Sequence, residues 1–456
     1  MYTFMLAFTL QCFFPLFNLD AGEFVGMSVV NRETQQQDFT VTVTASDGRT
    51  SQSGVVSAPG GNQRAVLLRE LLAGRSLPAS GWVRVEKQGN DCTVYLTTGT
   101  AEILTGTDAA PSLSTAILLP HIEVNTGFAE LGHTDTSIAL VSPNEAAAVT
   151  AQLFGLDGIS RGSVTVTVPA FGSVTAKVSD LFNAVLPNNG LGGKGFDGYI
   201  RLTSDKGIAA WTRLETPLAR AILRGQPIAE IVSTTRAVIP HFVFGPTYGS
   251  TINLVNPTSA PVELEMSALD DRGNTIDTVQ FRLLAGEARR SSVGEFFKAI
   301  IMIFPPPTIS GYVRIRERNG GTFQIAGNVE IFGQQQGGPG AAMFYPLSDT
   351  PSPRWVLPFA ASSGPYFTGY AIVNPNELLT VQTEVVVEVL DSTGLVRSRS
   401  TVSLSPQNRF TAMVPPGLDS GYVRITANLP VHLLGSIGTL DGRQLDQIPA
   451  IRPFAP

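Results

Sequence analysis

Cysteine, charged residues and long apolar runs are all scarce in this chain of 456 residues. Charged residues make up 15% of it and hydrophobic residues 43%, a balance that argues against an intrinsically disordered chain. The net charge of −6 comes without a basic stripe, so nucleic acid is not expected as a partner. No apolar run reaches the ~20 residues of a membrane-spanning helix, so we expect no integral membrane span.

The two cysteines, Cys12 and Cys92, are too few for a disulfide framework. They either form one bridge or remain two free thiols, and the sequence leaves both open. Residues 1–14 are apolar and uncharged, but they lack the basic region and the small-residue cleavage site of a secretory signal. We interpret residues 1–12 as a weak or truncated export signal, which predicts an extracellular or cell-surface location.

Four short patterns recur in the same order four times along the chain. The first is an apolar strand start that contains a proline, at Pro15, Pro120, Pro240 and Pro358. The second is an apolar strand that ends in a polar turn residue, at Asn31, Ser142, Asn256 and Asn374. The third is a strand that runs into a turn closed by glycine, at Gly48, Gly158, Gly273 and Gly394. Such turns after alternating strands are typical of β-hairpins.

The fourth and sharpest pattern is glycine, aromatic, β-branched, arginine, aliphatic. Its copies lie at 81–85, 198–202, 311–315 and 421–425. Because side chains alternate across a strand, the aromatic and the arginine share one face and the two aliphatic residues share the other. We expect the aliphatic face to lie in a core, and the aromatic ring to lie on the outer face beside the arginine stem.

This recurrence predicts an all-β protein of four tandem β-sandwich-like domains, at 13–104, 117–232, 237–350 and 355–456. Each holds seven or eight short strands, and each of the first three adds one short helix before the glycine–aromatic strand. In the third, Ser292 and Glu295 stand in capping-box register. Units of roughly 105–120 residues bury their own cores, so we expect beads on a string rather than a solenoid or a propeller.

In architecture, the chain resembles the tandem immunoglobulin-like or fibronectin-type-III-like sandwich arrays of bacterial secreted and surface proteins. The resemblance covers nearly the whole chain, although the Cys…Trp…Cys core of true immunoglobulin domains is absent. It implies a role in extracellular spacing, adhesion or carbohydrate contact. It carries no site residues to this sequence.

Motifs for catalysis, cofactors and metals are not found. The sequence has no HExxH, P-loop, GxSxG or calcium-loop pattern. His121 and His241 occupy the same position in two repeats, which favours a structural role. His133 and Asp135 provide too few ligands for zinc. We therefore predict no catalytic residue, no cofactor and no metal site.

The repeated aromatic and arginine residues are the best candidates for ligand binding. They are Trp82, Tyr199, Tyr312, Tyr422, Arg84, Arg201, Arg314 and Arg424. Exposed rings beside arginine could stack on sugar rings or on a protein partner. The alternative is packing on the outer face or between sheets, repeated because the domain was duplicated. Two loops, 187–197 and 334–340, are unusually rich in glycine or glutamine.

These observations lead us to expect a non-catalytic secreted or cell-surface protein that serves as a structural spacer, adhesion or interaction module. Its partner would be a protein or an extracellular polysaccharide. The alternative is a carbohydrate-binding protein associated with polysaccharide breakdown. A third hypothesis is an enzyme of unfamiliar type with a polar pocket in repeat 2.

Overall fold

The computed structural model confirms an all-β fold, with almost all regular structure in antiparallel strands. It describes residues 9–17, 22–89, 92–100, 103–124, 135–188, 195–215, 219–302, 308–333, 342–348, 350–378 and 381–452. We use repeats 1 to 4 for the four segments defined above.

The elements of repeat 1 form two facing four-stranded sheets. They are β1 (Thr9–Leu16), β2 (Phe24–Val30), β3 (Gln37–Ala45), β4 (Ser51–Ala58), β5 (Gln63–Leu67), α1 (Leu68–Leu71), β6 (Gly81–Gln88), β7 (Val94–Gly99) and β8 (Leu104–Thr107). The first sheet has the order β1-β6-β3-β4 and the second the order β5-β2-β7-β8. Side chains of both sheets, such as Val41 and Leu96, share one fully buried core. Repeat 1 is therefore a β-sandwich.

The other repeats have the same order of strands, although repeat 4 has no helix among its described residues. Repeat 2 holds β9 (Ser114–Val124), β10 (Asp135–Ser142), β11 (Ala147–Gly155), β12 (Ser160–Val168), β13 (Gly172–Lys177), α2 (Val178–Leu181), β14 (Phe196–Glu215), β15 (Arg220–Arg224), β16 (Gln226–Pro227) and the 3-10 turn Ile228–Glu230. Repeat 3 holds β17 (Ala237–Phe244), β18 (Tyr248–Val255), β19 (Val262–Leu269), β20 (Thr275–Leu283), β21 (Ala288–Ser292), α3 (Val293–Phe296), α4 (Lys298–Ile301), β22 (Ile309–Glu317), β23 (Ala326–Gly333) and β24 (Ala342–Pro346). Repeat 4 holds β25 (Ser352–Ala360), β26 (Tyr366–Val373), β27 (Thr383–Asp391), β28 (Val396–Leu404), β29 (Arg409–Met413), β30 (Gly421–Thr439) and β31 (Leu445–Ile448).

Sheet pairing follows the same plan in all four repeats. Repeat 3 has the orders β17-β22-β19-β20 and β21-β18-β23-β24. In repeats 2 and 4, the sixth and seventh strands merge into one long strand, β14 or β30, which takes part in both sheets. Apart from the short β16, each repeat therefore contributes eight strand segments to the sandwich plan.

The recurring glycine before the aromatic residue is required by packing within each sandwich. A Cβ atom on Gly81 would lie 2.0 Å from the carbonyl oxygen of Thr44, and one on Gly421 would lie 2.0 Å from that of Leu390. The recurring asparagine is buried and caps the far end of the fourth strand. The side-chain amide of Asn374 donates to the carbonyls of Leu404 and Ser405 at 3.1 and 3.0 Å.

The short helices lie where the sequence predicts them, between the fifth and sixth strands of repeats 1, 2 and 3, but repeat 3 has two of them instead of the one predicted. The capping box of α3 is formed. The backbone N–H of Glu295 donates to Ser292 Oγ at 3.2 Å, and the Glu295 carboxylate accepts from the backbone N–H of Ser292 at 2.9 Å.

Cys12 and Cys92 form a disulfide, which settles the alternative that the sequence leaves open. The bridge joins β1 to the segment that precedes β7 and so ties the two sheets of repeat 1 together. Residues 9–12, which we assigned to an export signal, lie within β1 and pair with β6. These four residues therefore complete the first sheet of repeat 1. Residues 1–8 lie outside the described residues.

From the size of the repeats, we expected the four sandwiches to lie like beads on a string. They do not. The last strands of the repeats, β8, β15, β24 and β31, contact one another in a cycle in which β31 returns to β8. Repeat 4 thus packs against repeat 1, and the chain closes into a ring of four sandwiches. The bead prediction fails because each repeat keeps an apolar outer surface that its neighbour covers.

Candidate functional site

The repeated aromatic residues lie at the four interfaces of the ring. Trp82, Tyr199, Tyr312 and Tyr422 are between 2% and 4% exposed. The hypothesis that their rings are exposed for stacking on a ligand is therefore wrong, and the alternative that the rings pack on the outer face agrees with their burial. The face was predicted correctly, because the rings point away from the core of their own sandwich. The next repeat around the ring covers that face.

Each of these aromatic side chains donates a hydrogen bond to the next repeat. Trp82 Nε1 donates to the carbonyl of Phe171 at 2.9 Å. Tyr199 Oη donates to Gly286 at 2.7 Å, Tyr312 Oη to Gln407 at 2.6 Å and Tyr422 Oη to Gly61 at 2.7 Å. The acceptor always lies in the turn between the fourth and fifth strands. The four interfaces are thus equivalent, including the one that closes the ring.

A backbone hydrogen bond accompanies each aromatic contact. It runs from the start of the fifth strand to the turn between the third and fourth strands of the preceding repeat. The four bonds are Ser173 N to Ser46 O, Ala288 N to Leu156 O, Arg409 N to Asp271 O and Gln63 N to Ser392 O. The turns that the sequence identifies as hairpins therefore also serve as the edges where neighbouring repeats meet.

The arginines of the pattern mostly form ion pairs within the ring. Arg314 Nη1 lies 2.6 Å from Gln407 Oε1 and 3.3 Å from Glu377 Oε1, both in repeat 4. Arg424 pairs with Glu388 at 2.7 Å on its own sheet. Arg84 lies 3.4 Å from Glu86, and Arg201 is exposed. The structure therefore does not bring the predicted aromatic and arginine residues together as an open binding surface.

In the part of the chain that the structure describes, open grooves lie at two of the four interfaces. The groove between repeats 4 and 1 has a volume of about 380 Å³, within the range of ligand pockets. Its lining is mainly apolar and includes the rings of Phe24, Tyr95, Phe359 and Tyr366. Ala65 is one of its lining residues. We call this space groove 4/1.

The groove between repeats 3 and 4 is the equivalent space one interface earlier, and we call it groove 3/4. Its volume is about 480 Å³. Thr411 takes the place of Ala65, because each lies two residues after the start of the fifth strand. Tyr248, Phe367 and Tyr370 supply aromatic lining. Neither groove was predicted from the sequence, because its lining comes from two repeats.

The equivalent space between repeats 2 and 3 is filled by charged side chains. Arg290 stands at the position of Ala65 and Thr411 and ion-pairs with Glu123. Its guanidinium also lies 3.0 Å from Asp197 and 3.1 Å from Glu330. These contacts occupy the volume that remains open in the other two interfaces.

Aromatic side chains fill the equivalent space between repeats 1 and 2. Phe17 and Trp211 lie in one buried cluster with Trp82. The guanidinium carbon of Arg213 lies 4.9 Å from the centre of the Phe17 ring, and Arg213 pairs with Glu215 at 3.0 Å. The two filled interfaces thus both contain a guanidinium.

The histidines occupy structural positions in the described part of the chain. His121 is buried 3.7 Å from the Glu123 carboxylate. His241 Nδ1 lies 2.7 Å from Arg409 Nη1, and His432 Nδ1 lies 2.7 Å from Ser348 Oγ. Within the described residues, no group of three or more His, Cys, Asp or Glu side chains could hold a metal ion. His133 and most of the loop 187–197 lie outside the described residues, as does all of 334–340.

Two acidic side chains lie where the last strands of the repeats meet. The Asp446 carboxylate on β31 accepts a hydrogen bond from the backbone N–H of Gly106 on β8. Burial raises the pKa of Asp446 well above its ordinary value, and the charge of Asp108 adds to the increase. Burial also raises the pKa of Asp108 to about 6, although Arg224 opposes the shift.

We expect Asp446→Asn to make the protein more stable at pH 7 but not at pH 4. A raised carboxyl pKa means that stability falls as the pH rises above the ordinary value, because the unfolded chain ionises first. Asparagine keeps an oxygen that accepts from Gly106 and removes the buried charge. Urea unfolding of both proteins at pH 4, 5.5 and 7 measures the difference, and a difference that does not depend on pH would contradict the assignment.

The comparisons with known proteins do not identify a family. No protein-family model matches the chain, and no curated protein matches it. A solved structure with some likeness is a T13 viral particle of IBDV, at 10% identity and a TM-score of 0.12. The match covers 92% of this chain and 77% of that one. At that TM-score, it supports no inference. None of the helices among the described residues has the length and hydropathy of a membrane span.

Proposed function

We propose that this protein is a non-catalytic interaction module that binds apolar groups of a partner in grooves 3/4 and 4/1. The observation that carries the proposal concerns the described residues of the four interfaces. Two interfaces contain an open groove, whereas the chain's own side chains occupy the equivalent position in the other two. Small residues stand at both equivalent strand positions of each groove, Ala65 and Thr97 in groove 4/1 and Thr411 and Ser436 in groove 3/4. Mainly apolar lining with a few polar groups is typical of ligand sites.

The proposal includes an extracellular or cell-surface location. The disulfide between Cys12 and Cys92 supports it, because such bridges persist mainly in oxidising compartments. The facing antiparallel sheets are also compatible with the resemblance to immunoglobulin-like arrays of surface proteins. Thiol titration of protein purified from its native source without reductant tests the location. Two free thiols per chain would contradict it.

Within the functions expected from the sequence, the ring favours interaction over spacing. Four sandwiches that close on themselves reach less far than four in a row. The carbohydrate alternative relied on exposed rings at Trp82, Tyr199, Tyr312 and Tyr422, and these rings are buried. No observation favours it now, so we propose a partner with apolar groups.

Binding of a neutral apolar fluorophore tests the proposal. We expect 6-propionyl-2-(dimethylamino)naphthalene to bind with a stoichiometry of two, since the grooves are equivalent. Ala65→Trp and Thr411→Trp should each reduce the stoichiometry to one, because the new ring fills one groove, and the double variant should not bind.

The matched control is Val55→Trp, which adds the same ring at a position of repeat 1 that is 53% exposed and outside both grooves. It should leave the stoichiometry at two. Circular dichroism shows whether each variant is folded. Fluorophore binding that is insensitive to Ala65→Trp and Thr411→Trp in folded protein would disprove the proposal.

A further inference from the structure

The four interfaces present one equivalent surface that carries different side chains. Two positions define it, one on the fifth strand and one on the seventh. The fifth-strand residues are Ala65, Thr175, Arg290 and Thr411. The seventh-strand residues are Thr97, Arg213, Glu330 and Ser436. The filled interfaces therefore show which chemical groups this surface accommodates.

Both filled interfaces place an arginine on this surface. Between repeats 2 and 3, Arg290 comes from the fifth strand and is held by three carboxylates. Between repeats 1 and 2, Arg213 comes from the seventh strand, stacks on Phe17 and pairs with Glu215. In each case the guanidinium uses carboxylates, an aromatic face or both, which are the partners that its planar shape suits.

Groove 4/1 offers the same partners without an arginine of its own. Two exposed carboxylates, Glu70 and Asp419, line it. The rings of Phe24, Phe359 and Tyr366 provide aromatic and apolar surface for the guanidinium and its stem. Among the described residues that line the groove, none is Lys, Arg or His. Its charge is therefore complementary to a cation.

We propose that groove 4/1 binds an arginine side chain of a partner protein. The proposal rests on the function proposed above and names the occupant of one of its two sites. In groove 3/4, none of the described lining residues is Asp or Glu, so that groove lacks a counter-charge. The two grooves therefore differ in specificity, and only groove 4/1 selects arginine.

A lysine would be a poorer occupant of groove 4/1. Its ammonium is a strongly hydrated point charge, whereas a guanidinium is planar, stacks on rings and bonds two acceptors at once. Citrulline has nearly the same shape as arginine and no charge. A set of three peptides that differ only in this residue therefore separates shape from charge.

Calorimetry with the peptide Ac-Gly-Leu-Arg-Leu-Gly-NH2 tests the proposal on the full chain. We expect one site per chain, and at least 10-fold weaker binding for the citrulline and lysine peptides. Ala65→Arg should abolish binding, because it reproduces Arg290 and fills the groove from within. Val55→Arg adds the same charge to repeat 1 outside the groove and should bind as the wild type does.

The double variant Glu70→Gln/Asp419→Asn gives a second measurement that does not depend on filling the groove. Both side chains are exposed, so the variant should fold, and we expect at least 10-fold weaker binding. Equal affinity for the arginine and citrulline peptides would overturn the proposal, as would no binding of the arginine peptide. If either result is found but the fluorophore still binds at two sites, only the proposal that groove 4/1 binds arginine fails. Loss of fluorophore binding as well would reject the proposed function itself.

Discussion

Replacing Gly394 by alanine is expected to loosen the contact that closes the ring and to cost about 3 kcal/mol of local stability. Gly394 ends the turn between β27 and β28 with a φ of 80°, where a Cβ atom is unfavourable. That Cβ would also lie 2.6 Å from the carbonyl oxygen of Gly61 in repeat 1. The substitution therefore combines backbone strain with a collision between repeats 4 and 1.

Gly320→Ala is the matched control for the backbone strain. Gly320 has a φ of 81°, but no atom lies within 4 Å of its added Cβ. We expect this variant to cost about 1 kcal/mol, since only the left-handed conformation is penalised. The difference between the two variants isolates the collision across the interface.

Hydrogen exchange locates the effect. The backbone N–H of Gln63 donates to Ser392 at 3.2 Å across the same interface, so its exchange reports whether the contact opens. A loss of about 3 kcal/mol corresponds to roughly 100-fold faster exchange of residues 60–67 in Gly394→Ala. Gly320→Ala should leave these residues unchanged. Unchanged exchange in both variants would show that this turn does not hold the ring closed.

The closed ring is reflected in the sequence of the repeats. In an open array, the outer surfaces of the first and last repeats face solvent, and end repeats usually differ from the internal ones. Here the aromatic donor and the glycine turn recur in all four repeats, as Trp82 and Tyr422 illustrate at the two ends. A closed ring uses this pattern at all four interfaces, and all four repeats keep it.

Local patterns predicted local structure, because each depends on neighbours along the chain. Alternation placed Tyr312 and Val313 on opposite faces, and the capping box at Ser292 and Glu295 predicted the start of α3. The exposure of Tyr312 could not be predicted, because the residue that covers it, Gln407, lies in another repeat. Faces follow from one strand, whereas burial depends on how whole sandwiches pack.

The two grooves could not be predicted from the sequence for a related reason. Ala65 and Thr411 are ordinary residues for exposed strand positions, and nothing in their local sequence distinguishes them. Their significance comes from the equivalent Arg290, which shows how a larger side chain fills the same space. Comparing Ala65 and Thr411 with Arg290 requires an alignment of the repeats and knowledge of the interface, and the local sequence provides neither.

The interface between repeats 3 and 4 is expected to weaken in acid through His241 and His432. Arg409 can only donate, so His241 Nδ1 accepts its hydrogen bond and carries no proton. Protonation would turn an N–H toward the guanidinium and break this contact. Burial lowers the pKa of His241 to about 3, and the charge of Arg409 adds to the decrease. Burial likewise lowers the pKa of His432 to about 3, with contributions from Arg236 and Arg452.

The sign of the pH effect follows from these directions. An unfolded histidine takes up a proton near pH 6.5, whereas these two remain neutral in the folded protein until about pH 3. Their contribution to stability is complete above pH 6.5 and is lost as the pH falls toward 3. At pH 5, each histidine lowers the free energy of unfolding by about 2 kcal/mol relative to its value above pH 6.5. Asp108 and Asp446 act in the opposite direction, so the wild-type profile alone does not isolate the histidines.

The variant His241→Gln/His432→Gln isolates their contribution. Glutamine retains an oxygen that accepts from Arg409 and an amide that bonds Ser348, but it does not titrate. We expect the wild type to lose about 4 kcal/mol of unfolding free energy relative to this variant between pH 7 and pH 5. Urea unfolding at pH 7, 6 and 5 measures the two profiles. Parallel profiles would show that neither histidine resists protonation, and the interface between repeats 3 and 4 would then not be the acid-sensitive part of the ring.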